Sequence, residues 1–561
     1  MLRIFNAYFT DLSPSPVYSF LHKATVIQRY HAGLMDRPLL YALVGITTLL
    51  SDVGMGMEGY GSKCIDLCQQ LILSDLDQQS VINIQALVLV IKYRMMSRQF
   101  VRAFMLLSLA ARMAYGVRLN FENPRLCFLA QESRRRLMWS LFLLDGSLAS
   151  GLTDFQLFRP GSIHVQLPCD ERHFELNLAR KTEMLQPPED GSPPDDIGLL
   201  ALNIRISSLR YRILHFLKTL AMSQTHDAER IQREVYTLQA ELDAFVARLP
   251  SCFAYSRINL QLCAYSPRLA PFIMIHILRH QCHCDLYRLS LAGLHEALPQ
   301  SVLECMSPAF LSLCREKCFQ HAEAMVEIYN SVMSLKTGLP SMDLDFIVSV
   351  YQCARILFYL FRTNALPSDI DVEHITKQVN SCAKAVAALS RPTAAVLSIQ
   401  KDLDTLLQRG FSNRSSSASP EPDEAGLENK SMADVSRRVL SRHSYAKEVG
   451  QTDHSEALIL PQTSEAQRRE FQGSQSTPSE THVPDSTGAN LALPNEALQL
   501  PARISGVAND RGVRTDFDAF QTDLEGFGYD LQSPDLGFSH EPWGDWGNSQ
   551  FIYQMLANDQ W

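Results

Sequence analysis

No two of the 13 cysteines stand in a Cys-x-x-Cys spacing, which removes the common zinc-finger patterns. All of them lie between Cys64 and Cys382, in odd number and at irregular intervals. That does not make a secreted disulfide framework, so the reading is a reducing, intracellular compartment. No run of about 18 apolar residues is free of charge, and no transmembrane helix is expected. The N-terminal MLRIFNAYFTDL is broken by Asn6 and Asp11 and makes a poor signal peptide. Cations are missing from one place in particular: residues Thr515 to Trp561 hold nine acids and no Lys or Arg. The whole chain has 51 Lys+Arg and 60 Asp+Glu, a net charge of -9, so subtraction leaves 51 of each sign in residues 1–514. This balance argues against a globally basic nucleic-acid binder. Gly-x-Ser-x-Gly, His-Glu-x-x-His and Asp-Asp-x-x-Asp are absent, and no catalytic constellation takes their place, so an enzyme is not expected.

What is present is helical pattern. From Val81 to Tyr115 Gly and Pro are almost absent, and apolar residues are too many for a one-sided helix. That predicts helices buried on several faces of a large bundle. One is predicted over Phe100–Tyr115, ended by a left-handed Gly116. Another, from about Gln131, carries QESRRRLMWSLFLLD, with Glu132 and Arg136 at ion-pair spacing and Trp139 in the core. Further helices are predicted at Ile204–Ala221, Ala228–Leu249, Pro271–Gly293, Leu311–Leu335, Asp343–Arg362 and Val372–Leu389. The proline- and acid-rich stretch at 186–198 predicts an exposed loop. No alternation of period two supports a large sheet, so the fold class is all-α, a large multi-helix domain over 1–410.

Several groups invite chemical readings. GMGMEG sets Gly54, Gly56 and Gly59 in dinucleotide-binding spacing, but it follows helical rather than strand pattern, so an inter-helix loop is expected. His276 and His280 share a helical face, with Cys282, His283 and Cys284 following, and Cys314, Cys318 and His321 share another. Metal ligation is one reading; the surrounding Leu, Ile, Phe and Met favour packing. Arg134, Arg135 and Arg136 splay over most of a turn and read as a solvated face with local ion pairs rather than a phosphate site.

Composition changes after Arg409. Residues 411–514 contain 16 Ser and three aromatics among 104 residues, too little apolar surface for a core, and read as a disordered linker. SRRVLSRHSYAK within it is a weak basic run. Residues 515–561 set ten aromatics among the nine acids, the composition of an activation segment. Its candidate anchors are Phe517, Phe520, Leu524, Phe527, Tyr529, Leu531, Trp543, Trp546 and Phe551.

In order along the chain, YFTDLSPSPVYSFLHKATVIQRY, RPLLYALVGITTL, FMLLSLAARMAYGVRLN, QESRRRLMWSLFLLDGSLASGL, FRPGSIHVQLPCDE and APFIMIHILRHQCHCDLYR resemble the regulatory (middle homology) domain of fungal zinc-cluster transcription factors. The resemblance covers about residues 5–400. It implies structural roles for Glu132, Arg134, Arg135, Arg136, Trp139 and Asp145, and packing roles for His276 and His280. Two departures stand out. The family has Arg after the signature Asp, where this chain has Gly146. The family's six-cysteine zinc cluster should lie upstream, and its spacing occurs nowhere here, so zinc is implied only with a zinc cluster missing from this chain. The resemblance implies a nuclear regulator of transcription by RNA polymerase II, pathway-specific in the family manner, with no catalytic, cofactor or metal residue. The implied partners are the transcription machinery or a coactivator through the acidic tail, and a DNA-binding partner or a homodimer; no membrane is implied. The alternatives are a co-regulator or scaffold without DNA binding and, more remotely, a helical small-molecule binder or enzyme.

Overall fold

Side-chain caps open many of the helices. His22, Ser80, Asp227, Ser256, Ser307 and Asp371 each accept a backbone N–H from the turn that follows. Such caps satisfy donors that a helix leaves unpaired at its start. The computed structural model describes residues 1–410 apart from 55, 78, 187–196, 224–225, 293–296, 336–338 and 364–369. Among the described residues there are seventeen α-helices and no strand. One isolated bridge joins Phe121 and His164. The all-α class holds. Most of the 186–198 loop and all of residues 411–561, with the activation-segment anchors, lie outside the described residues.

The six helices predicted beyond residue 200 occupy Leu199–Met222, Ala228–Ala247, Leu269–Tyr287, Pro308–Met333, Leu344–Arg362 and Val372–Leu389. A further helix, Ala394–Gly410, follows them. The segment from Val81 divides into Val81–Met96 and Phe100–Gly116. The first is buried at every position from Ile84 to Met96, as its lack of a polar face requires. The second ends where predicted but by another device: the left-handed residue is Arg118, at φ 51°, not Gly116. A Cβ on Gly116 would meet only the movable end of the exposed Gln79 side chain.

Helices Arg37–Leu50 and Met57–Ser74 pack closely through small residues. A Cβ on Gly61 would fall 2.0 Å from Thr48 Oγ1, and one on Gly45 2.4 Å from Ile65 Cγ1. The glycine run between these helices is a connection: Gly54 and Gly56 take φ of 123° and 80°, and Gly56 precedes the second helix. A helix, not a strand, leads into it, as the inter-helix reading expects.

Helix Leu344–Phe361 is long and apolar enough to cross a membrane by length and composition, although it carries Asp345 and Arg355. In this fold 78% of that window is buried, and it packs against Pro308–Met333, Val372–Leu389 and Ala394–Gly410 as a core helix.

Candidate functional site: a helix that holds an extended strap

Helix Phe128–Ala149 lies deep in the domain, with Trp139 only 1% exposed. Its neighbour, the segment from Leu157 to Cys169, is largely extended and has no sheet to satisfy its backbone. Buried N–H and C=O groups need partners. The helix supplies them from successive turns. Asp145 accepts from Leu157 N at 3.0 Å and Phe158 N at 2.8 Å. Trp139 Nε1 donates to Gln166 O at 2.8 Å. Glu132 accepts from Cys169 N at 3.0 Å, and Arg136 Nη2 donates to Cys169 O at 2.8 Å. The strap thus runs antiparallel to the helix, pinned at four side chains.

The arginines do more than local pairing. Arg136 Nε meets Glu132 at 2.8 Å, Nη1 donates to Ser19 O at 3.2 Å, and the guanidinium lies 4.2 Å from the Phe174 ring centroid. Arg135 Nε meets Glu122 at 2.6 Å; Glu122 also accepts Gln166 N at 3.0 Å. Arg134 Nη2 donates to the carbonyls of Val117 and Arg118 at 3.0 and 2.9 Å. The expectation of a solvated face is therefore overturned: Arg134, Arg135 and Arg136 are 6%, 8% and 2% exposed. Three consecutive positions do splay, but each guanidinium meets an acceptor inside the fold: a turn, an acid or the strap. Burial draws the Arg136 guanidinium down, and Glu132 with Glu171 lifts it further, leaving it above its ordinary value. Burial pushes the Asp145 carboxyl up to about 7, against the pull of the Phe158 and Leu157 N–H groups.

The absence of a side chain at Gly146 has a visible cause. A Cβ there would stand 2.0 Å from Tyr211 Cε2. The Tyr211 ring instead lies over the bare backbone, and its hydroxyl donates to Leu143 O at 3.0 Å.

A second charge network, not foreseen from sequence, ties residues before 247 to residues after it. Lys92 Nζ meets the Asp343 carboxylate at 2.6 and 2.8 Å. Asp345 accepts from Ser147 Oγ at 3.1 Å. Arg210 Nε meets Asp285 at 3.0 Å, and Asp285 also takes Gln281 Nε2 at 2.8 Å and Arg288 at 3.2 Å. A cavity of about 20 Å³ is bordered by Tyr18, Asp343, Ser15 and Met96. Such a volume suits one water and no organic effector.

The histidines pack. His276 Nε2 contacts Phe253 O at 3.0 Å, and its ring lies edge-on to Tyr255 and Phe272. His280 Nδ1 and His321 Nδ1 stand 2.9 Å apart, and His283 stacks on His321 with centroids 4.0 Å apart. Burial, foremost, holds His276, His280, His283 and His321 at about 4, 3, 4 and 2, with Arg279 reinforcing the shift in each. Cys282, Cys284, Cys314 and Cys318 are buried among them, the Cys284 and Cys318 thiols pairing with each other's carbonyls at 3.7 Å. Among the described residues no group of three or more His, Cys, Asp or Glu is arranged to hold a metal ion.

Residues 5–247 match the family described as the fungal specific transcription factor domain. Among curated proteins, the chain is 24% identical to the Zn(2)-C6 fungal-type transcription factor FTF1c of Fusarium oxysporum f. sp. lycopersici, over 46% of this chain and 31% of the relative. It is 24% identical to an uncharacterized transcriptional regulatory protein of Schizosaccharomyces pombe, over 48% of this chain and 30% of the relative. It is 23% identical to the transcriptional activator protein acu-15 of Neurospora crassa, over 44% of this chain and 27% of the relative. The match spans under a third of the length of these three relatives. The family and these relatives are transcription regulators, not enzymes. No solved structure matches.

Proposed function

We propose, from the fungal-specific transcription factor domain carried by residues 5–247, that this chain is a nuclear transcription regulator acting on RNA polymerase II promoters. The helical unit over 1–410 is the regulatory module, residues 411–514 the linker and residues 515–561 the activating surface. The family match carries the reading. The buried strap and charge networks support it: they build a scaffold and, among the described residues, bring no nucleophile, base and oxyanion cradle together. Control of one pathway's genes is the expected scope. The tail contributes through its composition. Its nine acids, unrelieved by any Lys or Arg, repel one another and keep the interleaved aromatics available to a coactivator groove.

A fusion of residues 515–561 to a heterologous DNA-binding domain tests this directly. Reporter activation, lost when Phe517, Phe520, Phe527, Tyr529, Trp543, Trp546 and Phe551 become Ala with every acid kept, is the expected result. Silence, or activity indifferent to the aromatics, sinks the aromatic-anchor mechanism.

A second reading rests on a specific observation. The six-cysteine spacing does not occur within these 561 residues. DNA would then be read by a partner or by sequence beyond this chain, where zinc would also be held. A selection for bound oligonucleotides with this chain alone distinguishes the two: a consistent motif at physiological salt removes the co-regulator reading.

A further inference from the structure

Among the described residues, the three most exposed large apolar side chains sit in one eight-residue span: Tyr265 at 82%, Leu262 at 70% and Ile258 at 69%. Ile258 and Leu262 lie four apart on helix Arg257–Cys263, and Tyr265 follows in the turn just after it. Positions i and i+4 share a helical face, and the exposed Tyr265 follows them in the turn. The opposite face is also apolar: Leu260, Cys263 and Ala264 are 3%, 8% and 9% exposed. The helix therefore has one apolar side in the core and another in solvent.

This outward stripe is held rigidly. Ser256 caps Asn259 N at 3.0 Å, and Asn259 Nδ2 donates to Ser251 O and Ala254 O at 2.9 and 2.8 Å. Tyr255 stacks on Phe272, and Phe253 O takes His276 Nε2. A preformed set of apolar anchors loses little freedom on binding. Scattered exposed apolar residues are ordinary; three of the most exposed in one short span mark an interaction surface.

The charge of the chain on either side of the stripe points to the partner, with one acid from outside this stretch, Glu171, facing Arg268. From Ala244 to Cys284 the chain has four Arg, no Lys and no acid. Arg257 and Arg268, at the two ends of the stripe, are exposed. A second copy docked antiparallel on this face would set arginine against arginine, which is unfavourable. A seven-residue helix with two cations is short for a membrane-surface helix. We propose that Ile258, Leu262 and Tyr265 dock into an apolar groove rimmed by carboxylates on a partner protein, with Arg257 and Arg268 pairing to that rim. The surface stands whether or not the tail activates transcription.

The test places the photoreactive residue benzoylphenylalanine at Gln261, beside the stripe, in the full chain expressed in its host cell. Adducts formed on irradiation are sequenced, and the captured segment is synthesised and titrated against the purified chain. The expected result is a segment with an excess of Asp and Glu whose affinity falls as salt rises. It should weaken at least tenfold with Ile258→Ser plus Leu262→Ser, and again with Arg257→Glu plus Arg268→Glu, while circular dichroism stays unchanged. An adduct to this chain itself, a segment without excess acid, or no adduct overturns the proposal. So does tight binding to phosphatidylserine vesicles that the same variants abolish.

Discussion

Lys92 and Asp343, 251 residues apart, close the domain with an ion pair at 2.6 Å, the ammonium 1% exposed and the carboxylate 10%. Asp343 also caps the next helix, accepting Leu344 N at 2.7 Å. The family match ends at residue 247, so this pair ties the matched region to helices beyond it. Removing one member leaves the other charge buried and unpaired. Lys92→Met is expected to cost about 3–5 kcal/mol in urea unfolding, typical of a broken buried pair. Asp343→Asn should cost less than Lys92→Met, because the amide still caps the helix and still accepts from Lys92. A loss near zero for Asp343→Asn would show that the pair contributes no charge-specific stability.

Trp139 combines packing with one hydrogen bond to the strap. Trp139→Ala should destabilise by about 3–5 kcal/mol, as large aromatic truncations in cores do. Trp139→Phe keeps most of the ring volume but leaves Gln166 O without its donor, so about 1–3 kcal/mol is expected. The strap reports this locally. Amides of residues 163–167 should exchange faster in the Phe variant than those of Leu157 and Phe158, which Asp145 holds. Uniform acceleration would mean that the strap is not pinned turn by turn.

Gly146 and Tyr211 should behave as one unit. Gly146→Arg drives a side chain into the Tyr211 ring, and overpacking of this kind costs about 1–3 kcal/mol. Tyr211→Ala removes the obstacle and also loses the bond to Leu143 O. If the clash is the cause, the double variant is more stable than the two single losses predict, by an interaction of about 0.5–3 kcal/mol. Additivity in denaturant melts would leave Gly146 unexplained.

The helices were legible because their apolar positions are dense and their caps conventional. Val372–Leu389 matches its predicted bounds, with Asp371 as its cap. Ala394–Gly410 was not, since its face rests on only a few buried positions such as Val396, Ile399 and Leu403, set among polar residues. Glu132–Arg136 could be read from spacing alone. The burial of Arg134 and Arg135 could not, because their partners, the 117–118 carbonyls and Glu122, come from a turn outside the helix. Sequence periodicity describes what a helix presents, not which extended segment will need its donors. The Lys92–Asp343 and Arg210–Asp285 pairs were invisible for the same reason: nothing local marks a partner 251 or 75 residues away.

Acid should loosen the domain through its histidines. His276, His280, His283 and His321 are held at about 4, 3, 4 and 2 in the fold, against about 6.5 when unfolded. The unfolded chain therefore binds more protons between about pH 6.5 and pH 4, so stability rises with pH across that window and is lost as pH falls through it. Asp145 opposes this: with its folded value near 7 the native state binds the extra proton between about pH 4 and pH 7, favouring the fold at lower pH. Burial also raises Glu171 and Asp345, which act with Asp145, and lowers His22, which acts with the imidazoles; the four deeply depressed imidazoles set the sign. Cations face the cluster from both helices, Arg279 from one and Lys317 from the other, while Asp243 offsets Arg279. His280 Nδ1 and His321 Nδ1 stand 2.9 Å apart and charge on one opposes charge on the other, so they titrate as a pair. Urea midpoints should fall from pH 7 to pH 5, each uncoupled imidazole adding at most about 1.4 kcal/mol per pH unit. His283→Phe keeps a ring stacked on His321 and removes one titrating group, so its midpoint should fall less steeply with acid. A slope unchanged by that substitution would show that the stacked histidines do not set the acid response.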